Sequence, residues 1–205
     1  VLQVFQNALR PSALLTPDAF HNAFSVDMAL GGSTNTVLHL PAIAHAAGVE
    51  FSLKRVNEVS DSVPHLCNLR PYGRFGLADL DIAGGIPALM KEISKRLKPG
   101  PMTVTGKTIG DVWRDAKVRD RRVIHPFDSP LHKTGGVAVL FGNLAPDGAV
   151  VKSAGVDDRM MVHEGRARCF NSEEEATRAI SARVFEPGDV IVIRYEGPKG
   201  GPGMR

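Results

Sequence analysis

"GVAVLFGNLAPDGAVVKSAG", residues 136–155, holds two apolar, β-branched runs on either side of the segment "NLAPDG", residues 143–148. Pro followed by Asp-Gly is turn chemistry, and short apolar runs bounded by glycine are strand chemistry. The spacing predicts strands over 136–142 and 148–155. Outward toward the C-terminus, "RARCF" (166–170) and "DVIVIRY" (189–195) read the same way, and "EPGD" (186–189) is a tight turn into the second. One helix interrupts them: in "NSEEEATRAISA" (171–182), Ser172 and Glu175 have the spacing of a capping box.

Toward the N-terminus the period changes from two to 3.6. Thr16, Pro17 and Asp18 supply a hydroxyl cap, a proline at the first helical position and an early acid. Ala19, Phe20, Ala23, Phe24 and Met28 follow at helical spacing. Gly31 and Gly32 end that helix. Ser33 is placed to cap a second helix over 34–47, with Pro41 as a candidate kink and Gly48 as its stop. "SLKRVNEVS" (52–60) and "IPALMKEISKRL" (86–97) predict two more. The first half therefore reads as helix-rich and the second as strand-rich, with the switch near 112–126, where charge rises.

Of 205 residues, 43% are apolar and 23% charged, which suits one or two domains with a buried core. No apolar run approaches the ~18 residues of a membrane span, and "VLQVFQNALRPS" at the start lacks the marks of a signal peptide. Neither membrane insertion nor export is expected. The net charge of +3 and pI near 9.0 raise the alternative of a non-catalytic module that binds phosphates or nucleic acid through "GGSTN" and "GPKGG". The densest basic cluster, "RDAKVRDRR" (114–122), is interrupted by Asp115 and Asp120 and carries no aromatic residues for base stacking. A solvated linker is the better reading, with no nucleic-acid partner. The two cysteines, Cys67 and Cys169, form no C-x-x-C and no disulfide framework, which suits a reducing cytoplasm.

Three stretches carry candidate chemistry. In "ALGGSTNTVLHL" (29–40), two glycines precede Ser33, Thr34 and Asn35 at a helix start, a place for an anion or for plain capping. In "VPHLCNLRPYG" (63–73), Cys67 sits in a proline-pinned loop beside His65 and Arg70. Cationic neighbours favour a thiolate, a nucleophile or soft-metal ligand. Cys169 falls in a strand, where core packing is expected. In "YEGPKGGPGM" (195–204), Glu196, Lys199, Gly200 and Gly201 bring a carboxylate, a cation and close backbone approach to one loop.

Taken with "AGGIPALMKE", "TVTGKT" and "GNLAPDGAVVKSAGVD", these stretches resemble the family of dihydroxy-acid, phosphogluconate and sugar-acid dehydratases over nearly the whole chain. "FDSPLHKTGGVAVLFGNLAPDG" and "KSAGVD" are most similar to its branched-chain amino-acid members. The resemblance implies a fold class of α/β and β: residues 1–113 as the end of a helix-rich α/β N-terminal domain, 114–126 as a linker, and 127–205 as the start of a C-terminal β-barrel-like domain. It implies a hydro-lyase of isoleucine and valine biosynthesis that takes a 2,3-dihydroxy acid to a 2-keto acid and water, in a cytoplasmic homodimer. An iron–sulfur cluster ([2Fe–2S] or [4Fe–4S]) acts there as Lewis acid on the C3 hydroxyl. Mg2+ holds the carboxylate and the C2 oxygen.

By the same resemblance Cys67 matches one cluster cysteine, and Ser33, Thr34, Asn35, Glu196, Lys199, Gly200 and Gly201 form the wall of the active site. The family's other cluster cysteines, one in a Cys-Asp-Lys motif, have no counterpart here. Its Mg2+ glutamate and base serine fall beyond Arg205, so no catalytic base is assigned within the chain. The chain reads as a middle portion of such an enzyme, inactive by itself. A sugar-acid or phosphogluconate dehydratase is the alternative within the family.

Overall fold

In the computed structural model, which describes residues 2–6 and 9–197, two short helices, α1 (Leu2–Gln6) and α2 (Pro11–Leu14), precede the long α3 (Pro17–Leu30). The Thr16 hydroxyl accepts the Ala19 N–H at 3.2 Å, as its position predicts, and Pro17 opens the helix. Phe20, Phe24 and Met28 line one buried face at helical spacing. Phe24 stacks on Phe51 with centroids 4.5 Å apart. Gly31, with φ of 110°, closes the helix in the left-handed region.

The next helix, α4 (Thr34–Ala46), runs through Pro41. Ser33 stands at its N-cap, but its hydroxyl caps nothing. Asp27, from the last turn of α3, does that work: its carboxylate accepts the Ser33 N–H at 3.2 Å and the Thr36 hydroxyl at 3.0 Å. A carboxylate at a helix N-terminus gains from the dipole as well as from the hydrogen bonds, so it displaces the local serine.

Helices α5 (Lys54–Ser62), α6 (Leu77–Ile82), α7 (Gly85–Glu92) and α8 (Ile109–Trp113) follow. Of these, α6 and α8 were not legible from spacing, because each is only six or five residues long. Thr108 and Asp111 form the capping box that starts α8. Phe24, Leu66, Leu89, Ile93, Ile124 and Val137 form the centre of one core, each fully removed from solvent. Burial of such a side chain stabilises by about 1.5–3 kcal/mol.

Strand β1 (Ala138–Leu140) pairs antiparallel with β2 (Ala149–Val151), Val139 opposite Val150. The hairpin is tied to α5 by Asn57, whose amide donates to the Val139 carbonyl at 2.8 Å and accepts its N–H at 2.7 Å. Residues up to Gly155 make one compact unit and those from Val156 make another. In the second, β3 (Ala167–Phe170) and β4 (Val190–Ile193) are parallel, joined by α9 (Glu173–Ser181) as a parallel pair requires. Asp189 receives Arg166, Arg168 and the Glu186 N–H, which hold its carboxyl down at about 2.

The strands lie where the sequence predicts them but are shorter. Among the described residues they form two separate two-stranded sheets and no closed barrel, so the architecture is mixed α/β with small sheets. Cys169 lies on β3, as expected, yet is exposed rather than packed. Period-two alternation points Arg168 and Phe170 to the more covered face and leaves Ala167 and Cys169 on the other. Within the basic stretch, Arg121 pairs with Glu92 at 2.8 Å and Arg122 with Asp120 at 2.7 Å. No helix of the described residues is long and apolar enough to cross a membrane.

Candidate functional site

The segment around Cys67 is held in extended form from two sides. The Leu66 and Cys67 N–H groups both donate to the Ala29 carbonyl, at 2.9 and 3.1 Å, at the end of α3. Across from them, Cys67 bridges Ile124 and His65 bridges His132. Residues 123–134 therefore pack directly on the cysteine segment, with Val123 and Ile124 buried.

Close backbone approach makes this possible. A Cβ on Gly31 would lie 2.7 Å from His65 Nε2, and one on Gly136 would lie 2.0 Å from the Gly31 carbonyl oxygen. Glycine is required at both positions for steric reasons.

His65 is only 6% exposed. Its Nε2–H donates to the Cys67 carbonyl at 2.9 Å, which leaves Nδ1 as a bare lone pair; that atom is buried and has no hydrogen-bond partner. Its ring stacks on His132 with centroids 5.3 Å apart. Burial pushes the imidazole pKa down to about 4, so it is neutral at physiological pH.

Beside these residues opens a cavity of about 350 Å3. Asp27, Gly31 and Gly32 reach it from the end of α3, His65, Arg70 and Tyr72 from the cysteine segment, and Lys152 from the end of β2. The half-buried Lys152 places its Nζ 5.0 Å from the Tyr72 ring centroid. Burial raises the Asp27 pKa, opposed by its bonds to Ser33 and Thr36.

Cys67 itself is fully buried, and burial pushes its thiol up to about 12. The thiolate expected from its cationic sequence neighbours is thus overturned: desolvation outweighs His65, which is neutral, and Arg70, which faces solvent. One consequence is measurable. A thiol reagent at neutral pH is expected to modify Cys169 rapidly in the native chain and Cys67 only on unfolding. Two fast-reacting thiols would contradict the buried setting of Cys67.

Comparison with known proteins places the chain. The family described as dihydroxy-acid/6-phosphogluconate dehydratase, N-terminal, matches residues 1–112, and its C-terminal counterpart matches residues 122–205. The chain belongs to the dihydroxy-acid/6-phosphogluconate dehydratase family. It is 56% identical to the dihydroxy-acid dehydratase of Caldanaerobacter subterraneus subsp. tengcongensis and 54% to that of Desulfatibacillum aliphaticivorans. To that of Acetivibrio thermocellus it is 55% identical. In each comparison all of this chain is covered, and it spans 37% of the length of the relative.

The expected site residues of the dehydratase family scatter differently in the structure. None of the expected wall residues that the structure describes lines the cavity beside Cys67, which Gly31 and Gly32 line instead, whereas Asn35 lines a second hollow with His39 and Leu40. Ser33 and Thr34 form the start of α4 between the two. In the second unit, Glu196 accepts the Glu173 N–H at 3.3 Å, at the start of α9. Lys199, Gly200 and Gly201 lie outside the described residues.

The described residues do not fit an iron–sulfur cluster by themselves. They offer one thiol in the first unit, protonated by burial, and no group of three histidine, cysteine or acidic side chains is placed to hold a metal ion. Sequence reasoning named His65 and Arg70 only as neighbours of Cys67 and missed Asp27 and Lys152. No local pattern marks Lys152, which reaches the cavity from the end of β2.

Proposed function

We propose that this chain is part of a dihydroxy-acid dehydratase, a hydro-lyase that converts a 2,3-dihydroxy acid to a 2-keto acid and water in branched-chain amino-acid biosynthesis. The observation that carries the reading is the match of the whole chain to relatives of that name at more than half identity. The family also covers phosphogluconate dehydratases, and the relatives' names favour the dihydroxy acid over sugar acids.

In this reading residues 1–113 close an N-terminal domain, and the strands from 127 onward belong to a C-terminal barrel-like domain. The two family matches leave residues 113–121 between them, which supports a boundary within 114–126. The protein is a cytoplasmic homodimer. Cys67 supplies one ligand to an iron–sulfur cluster, and Mg2+ is the second metal. Such Lewis acids ease loss of hydroxide and removal of a proton beside a carboxylate. Ser33, Thr34, Asn35, Glu196, Lys199, Gly200 and Gly201 are proposed to wall the site. A buried thiol becomes a ligand only when a metal replaces its proton, so metal and fold are coupled.

The test is keto-acid formation by the full-length gene product that contains these residues, reconstituted anaerobically with iron, sulfide and Mg2+. Turnover of 2,3-dihydroxyisovalerate well above that of gluconate is expected. Preference for gluconate would reassign the substrate, and no turnover of either would overturn the reading. Residues 1–205 alone are expected to bind less than stoichiometric iron and to show no turnover.

A further inference from the structure

We infer that Lys152 is the carboxylate receptor of the cavity beside His65, and that the apolar wall of that cavity selects a short aliphatic hydroxy acid over a polyhydroxylated one. The inference rests on the proposed dehydratase activity and names residues for its substrate specificity.

The charge balance of the cavity comes first. Lys152 and Arg70 both line it, and neither side chain has a carboxylate within 4.0 Å among the described residues. Asp27 is the only carboxylate in the lining, and both its oxygens are engaged by Ser33 and Thr36. Its charge interacts with Lys152, though from beyond ion-pair distance. Two cations against one carboxylate leave the cavity lining with a positive excess that an anion would balance. Tyr72 holds the Lys152 ammonium in place by its ring face.

The second observation is independent of charge. The buried Nδ1 of His65 is an acceptor with no donor, on a ring that lines the same cavity. A hydroxyl group satisfies it, whereas a second anion does not. The third is the wall: Leu30, Leu69, Phe75 and Leu77 present apolar surface. One anion, one hydroxyl donor and one apolar stub describe a small hydroxy acid. A sugar acid would leave several hydroxyls against leucine and phenylalanine without partners, which costs about 1–3 kcal/mol for each group left unpaired. The volume of about 350 Å3 suits a ligand of the smaller kind.

The experiment uses the full-length gene product and the variants Lys152→Met, Lys152→Arg and Leu77→Asn. Lys152→Met keeps the aliphatic stem and removes the charge. It is expected to raise KM for 2,3-dihydroxyisovalerate roughly tenfold or more, with kcat and visible iron–sulfur absorption changed much less. Lys152→Arg should recover part of the loss. Leu77 is at the exposed rim, so Leu77→Asn leaves the fold intact and should shift the kcat/KM ratio several-fold toward gluconate.

Unchanged KM in Lys152→Met, in a wild type that turns over, would overturn the receptor assignment while leaving the dehydratase reading standing. Loss of the iron–sulfur spectrum along with activity would overturn it too, since Lys152 would then be structural. If the wild type turns over no dihydroxy acid, calorimetric binding of 2-hydroxy-3-methylbutanoate decides. Binding abolished by Lys152→Met supports the inference, and binding that is absent or unaffected by the variant overturns it.

Discussion

Replacing Cys67 with serine in the full-length gene product is expected to remove visible iron–sulfur absorption and to lower keto-acid formation at least roughly a hundredfold, while Cys169→Ser leaves both at the wild-type level. The two cysteines are opposite cases. The backbone of Cys67 is fixed at three points: its N–H on Ala29, its carbonyl under His65 and its bridge to Ile124. Its backbone is therefore held in place, on a segment whose His65, Leu69 and Arg70 line the cavity. Cys169 stands exposed on a four-residue strand. Serine is close to cysteine in size, so the exchange at 67 preserves packing but buries a hydroxyl, at a cost of about 1–3 kcal/mol if unpaired. Folding and ligation are separated by thermal unfolding of the same preparations. A folded Cys67→Ser protein with full iron content would show that Cys67 is a core residue only.

The helices that position this site were legible because their start and stop signals are local. Thr16, Pro17 and the Gly31-Gly32 pair lie within the elements they punctuate, and the structure uses them as read. Ser33 failed as a cap for a non-local reason: Asp27, six residues earlier, reaches across the glycine turn to take its N–H. The protonation of Cys67 was misread in the same way. Its sequence neighbours are cationic, but its environment is set by Ala29 and Ile124, which no local pattern places beside it. Lys152 was invisible as a site residue because it enters the cavity from β2, 85 positions beyond Cys67, through a hairpin anchored by Asn57. Burial and contact at long sequence separation decide what these side chains do, and composition does not report either. Cys169 shows the converse limit: strand type was readable, but which face is covered depends on what packs there.

Gly136→Ala is expected to cost about 3 kcal/mol or more of stability and to disable the site even where the chain still folds. The added Cβ would sit 2.0 Å from the Gly31 carbonyl oxygen and 2.1 Å from its carbonyl carbon. Both are backbone atoms, so no rotamer change relieves the overlap. Gly136 is pinned on its other side as well: its N–H donates to the Met28 carbonyl and its own carbonyl accepts the Ala154 N–H. The clash can be relieved only by displacing residues 28–32. That segment carries Ala29, the acceptor for Leu66 and Cys67, and adjoins Asp27, the cap of α4. A few tenths of an ångström there propagate to the cysteine, to His65 and to the cavity wall together. A domain of ordinary stability, about 5–15 kcal/mol, loses a large share of it. Gly142→Ala is the control, since nothing lies within 4 Å of its Cβ and its φ is not left-handed; it should stay within about 0.5 kcal/mol of wild type. Urea unfolding of the two variants measures the difference as a shift in midpoint at constant slope. Equal midpoints would mean that the approach of residues 31 and 136 is looser than described, and the glycine requirement at this junction would fall with it.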